Sequence, residues 1–372
     1  MPFNISIGPN IRKSPYFAAT VNAGVACFSV YNHMYIPAHY GDPDAEYRRL
    51  MEGVAIWDVG AQRQVEITGP DATTLISYLS TRDVSSTHVG QGKYVPLCDY
   101  DGYLINDPVM LKLAEDRYWL SIADSDIELW ATAIARERGL RVQVSEPDVS
   151  PMAVQGPKAE AVIAGLFGDW IRDIQYFWFH ETEIAGIPLV LARSGWSKQG
   201  GFELYLMDGS RGSQLWDIVW EAGQRYGMGP GAPNDLERIE SGLVSYGADA
   251  RRQTWPATPF DLGLGKLVDL QRDEVFVGKA ALQQIADSVV HRERVGFVVD
   301  GAALASIEHP LEVLQSDGSV VGIIGELCYS PRLGANIGVG QIDAAVKSGS
   351  VALTVNDADR NKVRDIVALP FS

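Results

Sequence analysis

The sequence predicts an α+β protein with two α/β lobes and an all-β C-terminal domain. Two segments, Val65–Leu75 and Met152–Val162, each contain a short apolar strand, a Gly-Pro break and the start of a helix. Between them, Val109–Leu113 and Tyr118–Ile122 alternate around an Ala-Glu-Asp turn, a pattern typical of a β-hairpin. A hairpin favours an antiparallel or mixed sheet over a doubly wound parallel one.

The C-terminal domain is predicted from a change of pattern after about residue 290, where short apolar runs alternate with Gly, Asp and Pro turns. The predicted strands are Val295–Val299, Leu311–Leu314, Val320–Ile324, Val339–Ile342, Val351–Val355 and Val363–Leu369. Such a series predicts a β-barrel or a sandwich. Residues 1–20, by contrast, hold three prolines and little periodicity, so we expect an irregular arm.

A helix is predicted over Asp235–Tyr246, after an earlier one over Gln214–Tyr226. Asn234 would cap its N-terminus with a glutamate three residues later, and Gly247 would end it. A glycine inside a helix, as predicted for Gly242, lowers the stability of the helix by about 1 kcal/mol relative to alanine. We therefore expect another group to approach closely there.

The composition excludes several classes of protein. The 372 residues carry a net charge of −16 without a Lys/Arg tract, which argues against nucleic acid as a partner. No apolar run reaches the ~18 residues of a membrane span, and no secretion signal is visible, so we expect a cytoplasmic protein without a membrane partner. Cys27, Cys98 and Cys328 form no CxxC pair, and the six histidines lack ligand spacing, so no metal is expected. Nucleotide-binding glycine motifs are also absent from the sequence.

The segment Arg193–Leu206, RSGWSKQGGFELYL, combines a glycine-bearing turn with an alternating strand. Its apolar residues share one face, and Glu203 and Tyr205 share the other. An acid and a phenol on one face fit the wall of a polar cavity, but an edge strand with a solvated face fits equally. The aromatic segment Val30–Tyr40 likewise predicts either a packed corner or a pocket wall.

The motifs RSGWSKQGGFELY, MAVQGPKA, ERIESGLVSYG, TPFDLGLGKLV and VFVGKAAL together resemble the folate-binding aminomethyltransferase superfamily, which includes the glycine cleavage T-protein. The segments VYNHM, WDVGAQRQVEITGPDA, LINDPVMLKL, WLSIADSD and EPDVSPMAVQGP are most similar to its tetrahydrofolate-dependent dimethylsulfoniopropionate demethylases. The resemblance implies a three-lobed disc around a central folate channel. It implies one α/β lobe of residues 1–56 and 145–250, a second of 57–144 and 251–285, and a C-terminal β-barrel of 286–372.

The resemblance also assigns site residues. Positions that match the family's folate-binding residues are Tyr94, Asp107, Glu203 and Arg238, with Asp107 near the reacting end and Glu203 on the pterin ring. Asp107, Trp196 and Tyr205 are the expected catalytic residues, Trp196 lying beside the methyl donor. Asp107 follows the Asp99–Gly102 turn and is expected to start a strand. A role in satisfying that turn remains an alternative for Asp107, as does a packing role for Trp196.

The implied reaction transfers a methyl group from a small methylated donor to N5 of tetrahydrofolate, giving 5-methyltetrahydrofolate. A dimethylsulfoniopropionate-like sulfonium would need aromatic rings, and Trp196, Tyr31 and Trp178 are candidates. An aryl methyl ether such as a methoxybenzoate would need a proton donor, for which the candidates are His33, Tyr35, His39, His180 and Lys198.

Other functions stay open. An aminomethyltransferase is one alternative, and a non-catalytic folate-binding protein with a reactive cysteine is another. Cys98 lies in GKYVPLC, outside the KGCY-type segment of the latter class, so we expect an enzyme. A homodimer is an open alternative to a monomer.

Overall fold

The computed structural model describes residues 8–288, 292–304, 306–347, 353–356 and 361–371. In these ranges the α-helices, in chain order, are α1 Phe17–Asn22, α2 Pro43–Glu52, α3 Ala72–Leu79, α4 Ile127–Glu137, α5 Ala159–Phe167, α6 Gly212–Gln224, α7 Asp235–Ser241, α8 Lys279–Ala286 and α9 Ala344–Lys347. The strands of the first half are β1 Cys27–Tyr31, β2 Met34–His39, β3 Ala55–Asp58, β4 Gln64–Thr68, β5 Gly92–Tyr94, β6 Leu97–Cys98, β7 Leu104–Asn106, β8 Val109–Ala114, β9 Arg117–Ser121, β10 Gln143–Ser145 and β11 Ser150–Gln155. Those of the second half are β12 Phe179–Ile184, β13 Ile187–Ala192, β14 Gly201–Leu206, β15 Gly229–Gly231, β16 Arg292–Val299, β17 Leu311–Leu314, β18 Val320–Ser330, β19 Ala335–Asp343, β20 Leu353–Val355 and β21 Lys362–Val367.

The predicted α+β class is confirmed. Both Gly-Pro segments form a strand followed by a helix, β4–α3 and β11–α5. The glycine between them, Gly69 in one and Gly156 in the other, has a positive φ of 124° and 117° respectively. A Cβ on Gly156 would lie 2.6 Å from a backbone oxygen, so the turn requires glycine. The hairpin of β8 and β9 is also present, with Leu111 opposite Trp119.

The chain divides into two compact units, and the first comprises the described residues up to Ala72, Thr87–Lys93 and Val109–Asn234. Its six-stranded sheet has the order β12-β13-β14-β11-β3-β15, antiparallel except for the β15–β3 pair. A five-stranded sheet has the order β10-β4-β9-β8-β5. The main core packs one face of β14 and β11 with α5 and α6, through residues such as Leu204, Val162 and Leu215.

The second unit comprises Thr73–Ser86, Tyr94–Pro108 and the described residues from Asp235 onward. It contains the predicted C-terminal barrel, which is closed in the order β16-β19-β18-β17-β20-β21. Its core includes Phe297, Ile324 and Ile342. The first two residues of the predicted strand Val351–Val355 lie outside the described residues, as do the first seven of the predicted N-terminal arm.

The predicted helix over Asp235–Tyr246 is too long. Helix α7 ends at Ser241, because Gly242 takes a left-handed φ of 65°. The expected close approach at Gly242 is confirmed, since a Cβ there would lie 2.8 Å from Cβ of Leu369. Gly242, not Gly247, therefore ends the helix. Over the described part of the chain, no helix is long and apolar enough to cross a membrane.

Candidate functional site

Glu203 and Tyr205 lie on a strand in the middle of a sheet. Strand β14 pairs with β11 on one side and β13 on the other, so Glu203 is opposite Ala153 and Ala192. The alternative of an edge strand with a solvated face is wrong, because Glu203 is only 5% exposed and Tyr205 only 1%. The other face of β14, with Phe202 among its residues, packs in the main core. The alternation in the sequence thus places an acid and a phenol on the opposite, buried face, where Tyr205 packs with apolar residues such as Trp119 and Phe179.

The carboxylate of Glu203 accepts hydrogen bonds from two hydroxyl groups. The hydroxyl of Ser194 donates to Oε2, and the hydroxyl of Tyr205 donates to the same oxygen at 3.2 Å. Burial raises the pKa of Glu203, while the hydrogen bonds from Ser194 and Tyr205 counteract that rise. Both of these hydrogen bonds end on Oε2.

A small, mostly apolar recess adjoins this acid. Its lining residues are Gly92, Val109, Leu111, Phe177, Phe179, Ala192, Ser194 and Tyr205. Phe177 has a left-handed φ of 62°, which is strained for an aromatic residue. Two backbone hydrogen bonds hold it, from its N–H to Arg193 O at 2.9 Å and from Gly92 N–H to its carbonyl at 2.6 Å. Strain at a recess wall is typical of a functional site.

Phe177 has an aromatic neighbour on each side in the chain, Tyr176 and Trp178, and Trp178 is one of the predicted donor-binding rings. Tyr176 is 60% exposed and packs on Phe177 with ring centroids 4.4 Å apart. Partial removal from water, and then the charge of Glu203, raises the pKa of Tyr176. Trp178 is half-buried and stacks on His88 at 6.2 Å. The structure therefore brings Tyr176 and Phe177 towards Glu203. Neither Tyr176 nor Phe177 was among the predicted site residues.

The predicted His180 is exposed, and its ring meets the edge of Trp170 at 5.4 Å. The loop before β14 carries two further predicted residues, Trp196, which is half-buried, and Lys198, which is exposed. Buried Gln155 fixes this loop, since its Nε2 donates to Ser194 O at 3.2 Å and its Oε1 accepts from Ser197 Oγ at 2.8 Å.

The segment around Tyr35 forms a hairpin of β1 and β2. Its turn residues, Asn32 and His33, have φ values of 51° and 60°, as hairpin turns of the mirror-image types require. The ring of Tyr35 is 3% exposed and packs with Phe17 at 5.8 Å and Phe28 at 6.0 Å. The packed-corner interpretation therefore describes Tyr35.

The other three predicted residues of this hairpin, Tyr31, His33 and His39, are less buried, and His39 is half-buried at the end of β2. The side chain of His33 is 66% exposed, and its Nε2 lies 3.4 Å from Asp126. Tyr31 is half-buried at the end of β1. Their part in donor binding stays a prediction.

In the second unit, Asp107 accepts a hydrogen bond from the hydroxyl of Tyr94 at 2.7 Å. Removal of its carboxyl group from water raises the pKa of Asp107 to about 7, against the lowering effect of Tyr94. The expectation that Asp107 starts a strand is wrong, since β7 ends before it at Asn106 and β8 begins at Val109. An acid that titrates near neutrality suits general acid–base chemistry.

Arg238, the remaining predicted residue, is fully buried in the second unit. Its Nη2 lies 2.9 Å from Asp249 and its Nη1 lies 3.2 Å from Glu326. Arg294 also reaches Asp249, at 3.1 Å. The guanidinium of Arg238 is therefore engaged by two carboxylates of its own unit.

Two family models match the chain. The GCVT N-terminal domain matches residues 17–272, and the glycine cleavage T-protein C-terminal barrel domain matches residues 292–372. The chain belongs to the glycine cleavage T-protein family. This membership confirms the predicted superfamily and the prediction that the chain is an enzyme.

Individual relatives span nearly the whole chain. A Ruegeria pomeroyi protein named dimethylsulfoniopropionate demethylase DmdA is 40% identical, over 94% of this chain and 94% of its own. An aminomethyltransferase of Saccharopolyspora erythraea is 28% identical, over 93% of this chain and 94% of its own. The crystal structure of the glycine cleavage system aminomethyltransferase T from Bartonella henselae matches with a TM-score of 0.83 and 21% identity, covering 97% of this chain and 98% of that one. At this level of sequence identity, the match establishes the fold of the present chain.

The described residues include all three cysteines of the sequence. Cys27, Cys98 and Cys328 are free thiols there, and burial raises the pKa of Cys328 to about 12. In the same part of the chain, no group of three or more His, Cys, Asp or Glu side chains could hold a metal ion.

Proposed function

We propose that this enzyme transfers a methyl group from a small sulfonium, of the dimethylsulfoniopropionate type, to N5 of tetrahydrofolate. The observation that carries the proposal is the buried carboxylate of Glu203, which is held by two hydroxyl groups beside an apolar recess. The Ruegeria pomeroyi relative supports the choice of donor, because it carries a dimethylsulfoniopropionate demethylase name at 40% identity.

The geometry at Glu203 suits the pterin part of the acceptor. A reduced pterin presents neighbouring N–H donors along one edge, and a carboxylate accepts such donors well. The hydroxyls of Ser194 and Tyr205 fix Oε2, so the carboxylate presents Oε1 in a set orientation. Burial raises the pKa of Glu203, and these two hydrogen bonds oppose that rise because they favour the ionised form, which accepts donors.

Asp107 is proposed to manage the proton of the reaction. When bound, tetrahydrofolate supplies N5 as the nucleophile. The carbon–sulfur bond of the donor breaks, its electron pair stays on sulfur, and the proton displaced from N5 passes to the carboxylate of Asp107. A pKa of about 7 lets Asp107 accept this proton and release it to water at neutral pH.

The donor needs rings and no acid, because a sulfonium leaves as a neutral thioether. A cation over an aromatic face gains about 0.5–2 kcal/mol. Trp196 is the ring proposed to lie beside the donor, on the loop that Gln155 holds in place. Most of the rate enhancement would then come from holding N5, the methyl carbon and sulfur in line.

The decisive experiment offers the enzyme several methyl donors. The protein is incubated with tetrahydrofolate and, separately, dimethylsulfoniopropionate, a methoxybenzoate, dimethylglycine or a methylated amine. Mass spectrometry should find 5-methyltetrahydrofolate with the sulfonium, together with an equal amount of the thioether. Asp107→Asn should form it far more slowly, and Glu181→Gln, which changes an exposed acid, should match the wild type.

Two outcomes would contradict the proposal. Product formed only from the methoxybenzoate would assign the enzyme to aryl ethers instead. Appearance of 5,10-methylenetetrahydrofolate alone would indicate aminomethyl or oxidative chemistry.

A further inference from the structure

Gln155 is a fully buried glutamine at the end of β11, directly opposite Gly201 of β14. Both ends of its amide are engaged by the loop that precedes β14. Its Nε2 donates to Ser194 O at 3.2 Å, and its Oε1 accepts from Ser197 Oγ at 2.8 Å. Because a buried amide must satisfy its polar atoms inside the protein, these two contacts hold it in one orientation. Gln155 can therefore serve as a fixed anchor for the loop.

The backbone of this loop packs against the amide of Gln155 at two glycines. A Cβ on Gly195 would lie 2.0 Å from Nε2 of Gln155, and a Cβ on Gly201 would lie 2.4 Å from the same atom. Both positions therefore require glycine for the backbone to come this close. An apolar side chain of the same length would fill the space between the two glycines, but it would make neither hydrogen bond. The anchoring thus depends on the amide group and not on volume alone.

Two residues with proposed roles in the reaction lie in the anchored stretch. The carbonyl group of Ser194 accepts from Gln155, and the hydroxyl of Ser194 donates to Glu203, so one anchored residue reaches the acid of the pterin site. Trp196 lies between the two anchored residues, Ser194 and Ser197. Fixing the backbone on both sides of Trp196 restricts where its ring can lie, and so reduces the ordering that a ligand must impose on it.

We propose that Gln155 is a positioning residue for both substrates of the reaction. Through its Nε2 it holds Ser194, whose hydroxyl orients Glu203 for the pterin. Through its Oε1 it holds Ser197, and with it the neighbouring Trp196 beside the methyl donor. One amide thereby sets the donor ring relative to the acid of the acceptor site, on which in-line transfer depends. The catalytic meaning of this role rests on the proposed function, whereas the anchoring of the loop does not.

The first test measures the anchoring without any substrate. Lys198 is exposed on the loop, so the rate at which trypsin cuts after it reports how often the loop opens. Gln155→Met keeps the length of the side chain and removes both hydrogen bonds. Mass spectrometry of the fragment that begins at Gln199 should show cleavage about tenfold faster or more in this variant than in the wild type.

Gln64→Met is the matched control. Gln64 is also a buried glutamine of the first unit, and its Nε2 donates to the carbonyl group of Gln62 at 2.7 Å and to the hydroxyl of Ser121 at 3.0 Å. This variant loses a comparable amide, but it should leave cleavage after Lys198 at the wild-type rate. Equally fast cleavage in both variants would show that loss of any buried amide loosens the unit, and would overturn the inference.

The second test separates positioning from folding by kinetics, with dimethylsulfoniopropionate as the donor. Gln155→Met should raise the KM of the donor and weaken tetrahydrofolate binding in calorimetry, each roughly tenfold. Lost stability alone would reduce the amount of active enzyme, and so lower kcat while KM and the folate affinity stay unchanged. Ser197→Ala, which removes only the contact with Oε1, should raise the KM of the donor and leave the folate affinity as in the wild type. Circular dichroism establishes that each variant is folded.

Two results in folded Gln155→Met overturn the inference: cleavage after Lys198 at the wild-type rate, or a lower kcat with KM and folate affinity unchanged. Should that variant not fold, cleavage after Lys198 at the wild-type rate in Ser197→Ala overturns it. Failure of methyl transfer from every donor, with faster cleavage in Gln155→Met as expected, would reject the proposed function and leave the anchoring of the loop standing.

Discussion

Replacing Asp107 by asparagine is expected to stabilise the ligand-free protein at alkaline pH and to lose this advantage as the pH falls. Burial raises the pKa of Asp107 from 3.8 to about 7, so the folded chain holds its proton more tightly than the unfolded chain. Such a group stabilises the fold fully below its unfolded pKa, and this contribution disappears as the pH rises through the folded pKa. Asparagine has the same shape, carries no charge and keeps an acceptor for the hydroxyl of Tyr94.

The magnitude follows from the pKa difference. One unit corresponds to about 1.4 kcal/mol, so the raised pKa of Asp107 lowers the free energy of unfolding by roughly 4 kcal/mol at about pH 8 and by roughly 2 kcal/mol at about pH 5, relative to an uncharged side chain. The advantage of Asp107→Asn over the wild type should therefore grow by about 2 kcal/mol between these values. Urea denaturation at several pH values measures it.

Asp317→Asn supplies the control with the opposite sign. The hydrogen bonds from Ser319 lower the pKa of the exposed Asp317, so its removal should cost a little stability at alkaline pH. An offset between Asp107→Asn and wild type that is the same at every pH would refute the argument, because it would show that Asp107 ionises with an ordinary pKa.

Two other changes test the ligand site and the chain reversal after α7. Glu203→Gln should weaken tetrahydrofolate binding roughly 10- to 100-fold, because a charge-assisted hydrogen bond contributes about 1.5–3 kcal/mol. Calorimetry measures this affinity, with Glu181→Gln as the control. Equal affinities of the two variants would remove Glu203 from the pterin site. Gly242→Ala should destabilise the protein by about 1–3 kcal/mol more than Gly263→Ala in urea denaturation. Both glycines have a positive φ, 65° at Gly242 and 73° at Gly263, but only at Gly242 would a Cβ meet a neighbour, Leu369, at 2.8 Å. Equal losses of stability in the two alanine variants would show that Leu369 moves away freely.

Elements of the fold that depend on a few consecutive residues could be predicted from the sequence. The β8–β9 hairpin and the two faces of β14 follow from alternation over a few residues. The length of α7 could not be predicted in this way. Its end depends on Gly242, whose neighbour Leu369 is distant in sequence, so the capping signals suggested Gly247 instead.

In the candidate site too, the features set by neighbouring residues could be predicted, and those set by residues distant in sequence could not. Glu203 and Tyr205 were predictable, because strand alternation places them together. The hydrogen bond from Ser194 was not, since it depends on a loop that Gln155 fixes from another strand. The glycine at position 195 was the one sequence signal for this contact. A Cβ there would lie 2.0 Å from the side chain of Gln155, so the close approach of Gln155 requires glycine. The strained Phe177 has no such signal in the sequence.

Glu203 and the half-buried Asp107 differ in what surrounds them, and this difference assigns their roles. Hydroxyl groups of Ser194 and Tyr205 stabilise the ionised form of Glu203, and no acid is among the causes that raise its pKa. Asp107 has one hydroxyl partner, Tyr94, and the charge of Asp249 opposes its ionisation. A carboxyl group whose ionised form is favoured by two hydroxyl partners, against the effect of burial, is suited to hold donors that do not leave, as on a pterin edge. An acid that titrates near neutrality is suited to a proton that must move in each turnover. Hence exchange of a carboxylate for an amide should affect chiefly binding at Glu203 and chiefly the rate at Asp107, and a reversal of that pattern would exchange the two roles.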